Sequence, residues 1–332
     1  MDSLPHVVED CMGFLQLFSD GSVHRSNDIK FHAAAVEDNS VTFKDCLFDK
    51  KFNLSLRLYK PSSQNTNNSN HNKNMKLPMI MFLHGGGFCF GSRTWPHIHN
   101  CCMRLASGLQ AMVVAPDYRL APEHRLPAAV DDAVEAVRWL QRLGLSFKEG
   151  GGDEWLSRCG VDFDRMFIMG DSSGGNIAHH LAVQFGPGSH ELDPVRIRGY
   201  VLLAPFFGGE VRTKSEEGPP ERVLDLDLLD RFWRLSMPVG VSRDHPLANP
   251  FGPDSPNLGE LNLEPILVIV GGNELLKDRA ADYATRLKEL GKDIKYIEFE
   301  GSEHGFFTHD SYSEVSEEVI QILKQFILET SS

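Results

Sequence analysis

The sequence predicts an α/β fold, with one mostly parallel central sheet and helices on both of its faces. Three observations carry that expectation. Several short runs are continuously apolar, as strands buried on both faces must be. Stretches with apolar residues at helical spacing lie between those runs. The chain has 332 residues, enough to bury about three quarters of the surface its unfolded form exposes, so no disulfide or metal staple is needed. Buried strands alternating with amphipathic helices give a sheet covered on both sides, with its active loops at the carboxyl ends of the strands.

Phe52, Leu54, Leu56 and Leu58 alternate with polar neighbours, the pattern of a half-buried strand. An Asn- and Ser-rich stretch from Pro61 to Lys76 follows and reads as a surface loop, because it has too little apolar surface to order itself. Met79 to Leu83, Met112 to Ala115, Met166 to Met169, Tyr200 to Ala204 and Ile266 to Val270 are the buried-strand candidates, with Ile294 to Phe299 as a further strand. Helices are expected over Val130 to Leu143, Ile177 to Phe185, Ala280 to Leu290 and Val315 to Leu328. Gly186 and Gly291 stand where the second and third should stop.

Two regions break the alternation. One is Met1 to Lys50, with an Asp20-Gly21 turn signal. The other is Phe206 to Pro256, rich in Pro, Gly and charge, with one helix candidate from Leu224 to Trp233. Both read as additions above the sheet that cap a cleft, on a single domain over residues 1–332 whose core spans 51–330.

Composition narrows the function. With 46 acidic residues against 33 basic ones, the net charge of -13 repels phosphate backbones and anionic lipid, so neither nucleic acid nor membrane is expected as a partner. No secretory signal is visible at the N-terminus, which gives the cytoplasm as the expected location, with the nucleus as a further possibility. Cys11, Cys46, Cys89, Cys101, Cys102 and Cys159 lack zinc-site spacing and read as reduced, mostly buried small residues. The sequons at Asn53 and Asn67 read as chance matches.

The chemistry lies in four places. Gly170-Asp171-Ser172-Ser173-Gly174 is a G-x-S-x-G pattern between a buried strand and a helix, the context in which a sharp turn presents a nucleophilic hydroxyl. His84-Gly85-Gly86-Gly87 follows another buried strand; glycines let such a loop aim backbone N–H groups at one point, as a developing oxyanion requires. Gly86, Gly87 and Ser173 are the candidate donors, and His84 reads as a loop anchor. Ser172 needs a base, and in this architecture the order is nucleophile, acid, histidine. His304 comes after the last strand and before the last helix and fits that order. The acid should follow Ile266 to Val270, where Glu274 comes first and Asp278 four residues later; Glu274 is favoured, and Asp278 reads as the start of the next helix. Phe14, Phe18, Phe88, Phe206, Phe207, Trp233 and Phe251 are the candidate lining of an apolar substrate pocket.

Over nearly its whole length the chain resembles plant carboxylesterases of the α/β-hydrolase fold, in the branch related to hormone-sensitive lipase. The resemblance rests on HGGGFCFGS (His84 to Ser92), DYRLAPEHRLPAA (Asp117 to Ala129), GDSSGGNIAHH (Gly170 to His180) and HGF (His304 to Phe306). It implies ester hydrolysis by Ser172 and His304 without metal or organic cofactor. That family's usual acid is Asp, where this chain has Glu274. The glutamate, the EDCMGFLQL segment and VIVGG-x-ELL are most similar to the members that degrade strigolactone hormones, which implies such an ester or lactone as substrate. The alternatives within the same fold are a general detoxifying esterase, a non-catalytic receptor resembling those for gibberellin, and a flavonoid-type dehydratase. The receptors lack the catalytic histidine, so His304 favours an enzyme.

Overall fold

The computed structural model describes residues 4–26, 35–36, 39–62, 76–151, 154–157, 160–187 and 190–331. Most of the loop expected between Pro61 and Lys76, together with Asn67 and Cys159, lies outside the described residues. In chain order the elements are β1 (Val7–Cys11), β2 (Leu15–Phe18), β3 (Val23–Arg25), β4 (Val41–Asp49), β5 (Leu54–Pro61), β6 (Leu77–Leu83), α1 (Pro96–Leu109), β7 (Met112–Pro116), α2 (Ala128–Lys148), α3 (Glu154–Ser157), β8 (Val161–Asp171), α4 (Ser173–Gln184), β9 (Ile197–Leu203), α5 (Leu226–Ser236), β10 (Ile266–Gly271), α6 (Lys277–Glu289), β11 (Ile294–Phe299), α7 (Phe306–His309) and α8 (Glu314–Thr330).

Eight strands form the main sheet in the order β11-β10-β9-β8-β6-β7-β5-β4. The six from β11 to β7 run parallel, while β5 is antiparallel to both β7 and β4. Side chains of the parallel strands alternate between two cores, as the pleat demands. Met79, Met81 and Leu83 of β6 enter the core with α2, α4 and α6. Ile80 and Phe82 enter the one with α1 and α8. Both faces are dry along β6, β7 and β10, which is why these inner strands are unbroken apolar runs, whereas edge strand β11 alternates with the exposed Lys295 and Glu298.

Two parts of this architecture depart from the sequence reading. Residues 1–50 are not all an addition above the sheet: β4 pairs with β5 along its length as the edge strand. Its apolar signal is inverted, since Phe43 and Leu47 are 47% and 46% exposed. Only β1, β2 and β3 stand apart, as a small antiparallel sheet. The second departure is α1, absent from the expected helices. Its buried stripe is Ile98, Cys101, Cys102, Leu105 and Ala106, a 3–4 spacing in which two cysteines act as the small apolar residues.

Side chains fasten the small sheet down. The Arg25 guanidinium donates to the carbonyl oxygens of Cys89 and Ala121 and pairs with Glu123. Arg231 of α5 donates to the Asp10 carbonyl, and Arg234 pairs with Glu9 at 2.8 Å. The insertion that carries α5 is itself tied to α6, where buried Glu216 meets Arg279.

Candidate active site

Four strand ends deliver polar groups to one region above the sheet. Strand β8 ends at Asp171, and Ser172 turns the chain into α4 with φ 53° and ψ −114°. A non-glycine residue in that conformation is strained and must be held by its surroundings. The Ser172 N–H donates to Leu203 O at 2.8 Å, and its carbonyl accepts from Phe206 N–H at 2.9 Å and Asn176 N–H at 3.1 Å. A Cβ at Gly174 would stand 2.1 Å from the Leu83 carbonyl oxygen, so the helix can approach β6 this closely only with glycine there.

Strand β6 leads into the glycine loop. Gly86 adopts φ +118°, and a Cβ on it would lie 2.0 Å from the Phe90 carbonyl oxygen. His84 anchors the loop from below: its ring stacks on Tyr118 at 4.2 Å, and its Nδ1 lies 2.8 Å from Gly85 O. No acceptor among the described residues takes the backbone N–H of Gly86, Gly87 or Ser173.

Glu274 follows β10 and His304 follows β11. These strands are parallel neighbours, so their ends lie side by side. The His304 Nδ1 is 3.2 Å from Glu274 Oε2. Asp278 lies in the first turn of α6, and its Oδ2 accepts from Ser215 N–H at 2.8 Å. Burial pulls the His304 imidazole toward its neutral form. The hydrogen bond and charge of Glu274, joined by Asp171 and Glu221, outweigh it and push the pKa up to about 9. Burial lifts the Glu274 carboxyl above its ordinary range, against the bond from His304. Asp171 is raised by burial too, and accepts from the Thr308 hydroxyl at 3.2 Å.

Ser172 and His304 line the same cavity, along with the loop from Gly85 to Gly87. The apolar wall opposite differs from the expected one. It is made by Met12, Phe90, Trp95, Ile98, Val223, Leu224, Leu228 and Phe232. None of Phe14, Phe18, Phe88, Phe206, Phe207, Trp233 and Phe251 lines it. The reasons are local. On α5, Leu228 and Phe232 share one stripe and face the cavity, whereas Trp233 lies on the next stripe and stacks on Phe206 at 4.1 Å. Phe88 packs beneath that pair, 6.0 Å from Trp233, while Phe90, two residues on, reaches the cavity. Phe14 stands behind the lining against Phe90 and Trp95. Phe18 is half-buried in the small sheet. Phe207 and Phe251 pack against Tyr283 of α6. Glu221 carried no sequence signal, yet its carboxylate reaches the His304 backbone.

A strained serine at a strand-to-helix turn beside a histidine–carboxylate pair, on a mostly parallel sheet, defines a hydrolase class. The family model for the alpha/beta hydrolase fold matches residues 80–308. The chain belongs to that family, within its plant carboxylesterases, and is a carboxylic ester hydrolase. It is 36% identical to carboxylesterase 20 of Arabidopsis thaliana over 91% of this chain and 92% of that one. It is 33% identical to a 2-hydroxyisoflavanone dehydratase of Glycyrrhiza echinata, over 95% and 94%. Among solved structures, a thermostable carboxylesterase cloned from a metagenomic library superposes with a TM-score of 0.72 at 27% identity, covering 90% of this chain and 92% of that chain. No helix among the described residues is long and apolar enough to cross a membrane.

Proposed function

We propose that this enzyme hydrolyses a small apolar ester or lactone through Ser172, His304 and Glu274, and that its substrate is a strigolactone. The observation that carries the catalytic part is the 3.2 Å contact between His304 and Glu274, on a histidine that lines one cavity with Ser172. His304 removes the hydroxyl proton as Ser172 attacks the carbonyl carbon. The N–H groups of Gly86, Gly87 and Ser173 receive the oxyanion; in comparable sites one such donor is worth about 3 to 4 kcal/mol. Collapse of the tetrahedral intermediate expels the alcohol, protonated by His304, and leaves an acyl-serine. Water, activated by the same imidazole, releases the acid and restores the hydroxyl. Glu274 holds the imidazole's tautomer and stabilises the imidazolium. The small N-terminal sheet and the 206–256 insertion act as the cap, since Met12 from one and Leu228 and Phe232 from the other contribute the apolar wall.

The strigolactone reading is supported by likeness to the glutamate-bearing carboxylesterase 15 type and by the apolar wall. Incubation with a strigolactone analogue and, separately, with p-nitrophenyl acetate tests it. The expected outcome is cleavage of the analogue into its acid and alcohol parts at a kcat/KM well above that for the simple ester. A preference for the simple ester would leave a general detoxifying esterase. Turnover of neither would favour a hormone-binding protein. Loss of water from a hydroxylated flavonoid, with no fluorophosphonate label on Ser172, would favour a dehydratase.

A further inference from the structure

Glu221 lies in the insertion, far along the chain from both strand-end loops, yet it joins them. Its Oε2 accepts the backbone N–H of His304 at 2.6 Å, and its Oε1 accepts that of Leu275 at 2.7 Å. Leu275 directly follows Glu274. One carboxylate thus spans the two loops that present the imidazole and its acid. Of the Glu274 carboxylate oxygens, Oε2 faces His304, and Oε1 is buried with no hydrogen-bond partner among the described residues. The Glu221 N–H donates to Leu224 O at 2.9 Å, which closes a tight turn. Val223 and Leu224 of that turn line the substrate cavity.

We infer that Glu221 is a positioning residue for the hydrolytic reaction: it sets the spacing of the His304 and Glu274 loops and adds negative charge beside the imidazolium formed during acyl transfer. The inference rests on the assignment of Ser172, His304 and Glu274 above. Hydrogen bonds that backbone N–H groups donate to a carboxylate are short and strong, and a shift in either loop would misplace His304 against the hydroxyl. The charged and titratable groups facing His304 are Glu274 from the loop after β10, Asp171 from β8 and Glu221 from the insertion. His97 of α1 and His309 of α7 complete the titratable groups of the cavity. The same turn carries both the substrate wall and the tie to the triad, so the insertion couples binding to the spacing of the reacting groups.

The test is the pH dependence of p-nitrophenyl acetate hydrolysis in the full-length chain, for the wild type, Glu221→Gln and Glu221→Asp. Glutamine preserves length, removes the charge, and sets an amide N–H₂ against one of the two backbone donors. It is expected to lower kcat about tenfold with KM within about twofold. It is also expected to move the acid-limb midpoint of kcat/KM down by several tenths of a pH unit, because the imidazolium loses a stabilising charge. Aspartate keeps the charge on a shorter stem, so its midpoint should stay near wild type while kcat still falls. Both effects of glutamine are required: an unmoved midpoint, or an unchanged kcat, overturns the inference. If the glutamine variant fails to fold, aspartate decides, since wild-type kcat there overturns it equally. Ser172→Ala and His304→Ala run alongside, and full activity in either would sink the underlying triad instead.

Discussion

The two walls of the cleft are built differently. The sheet-side wall is held by the main chain: Ser172 is clamped by three backbone hydrogen bonds, and Gly174 packs directly against the β6 carbonyl at Leu83. The outer wall is held by side chains, through Arg231 to Asp10, Arg234 to Glu9 and the Arg25 cluster. Backbone clamps at strand ends leave few alternative geometries, which acyl transfer demands. Exposed ion pairs such as Arg234–Glu9 are worth about 1 kcal/mol or less, so the outer wall can be re-lined without disturbing the sheet. The difference teaches that the two walls are built by different means, with Glu221 and Arg25 as points where they touch.

Substitutions separate the walls in order of expected effect. Ser172→Ala should lower kcat/KM for p-nitrophenyl acetate by about 10⁴-fold or more while leaving the thermal unfolding transition in place. Retained turnover would dissolve the distinction between the walls. Glu274→Ala should cost far more activity than Asp278→Ala, because Glu274 touches the imidazole and Asp278 bonds Ser215. The reverse order would transfer the acid's role. The pH profile sharpens the same wall. A base must be neutral to accept a proton, and His304 is held up to about 9, so kcat/KM should climb between pH 7 and 9. A flat profile across that range would contradict the three-carboxylate environment. Phe232→Leu, on the outer wall, should act the other way round, raising KM for a bulky aromatic ester about three- to tenfold with kcat within about threefold. A loss confined to kcat would show that the outer wall also governs chemistry.

Legibility in the sequence followed the same division. The strand runs, the turn at Ser172, the glycine loop and the order of Glu274 and His304 were readable because each obeys a local rule of spacing or backbone geometry. Edge strand β4 was not, since it buries little and points Phe43 and Leu47 at solvent. Helix α1 was hidden behind two cysteines and three polar side chains on its buried face. The pocket aromatics differ from the expected ones by small offsets, Phe90 in place of Phe88 and Phe232 in place of Trp233. Composition shows that aromatics crowd that region; only the phase of a helix or loop decides which of two neighbours lines the cavity. Glu221 was invisible for a different reason: its partners are backbone amides 83 and 54 residues away, and amides leave no trace in residue identity.

Arg25 gives the amino terminus a stake in turnover. Its grip on the Cys89 carbonyl splints the glycine loop from outside, so a shortened chain that lacked the first three strands would keep Ser172, Glu274 and His304 and still lose the brace beside the proposed oxyanion donors. Fusion partners and protease nicks at that end of the polypeptide are therefore changes to the reaction chamber itself.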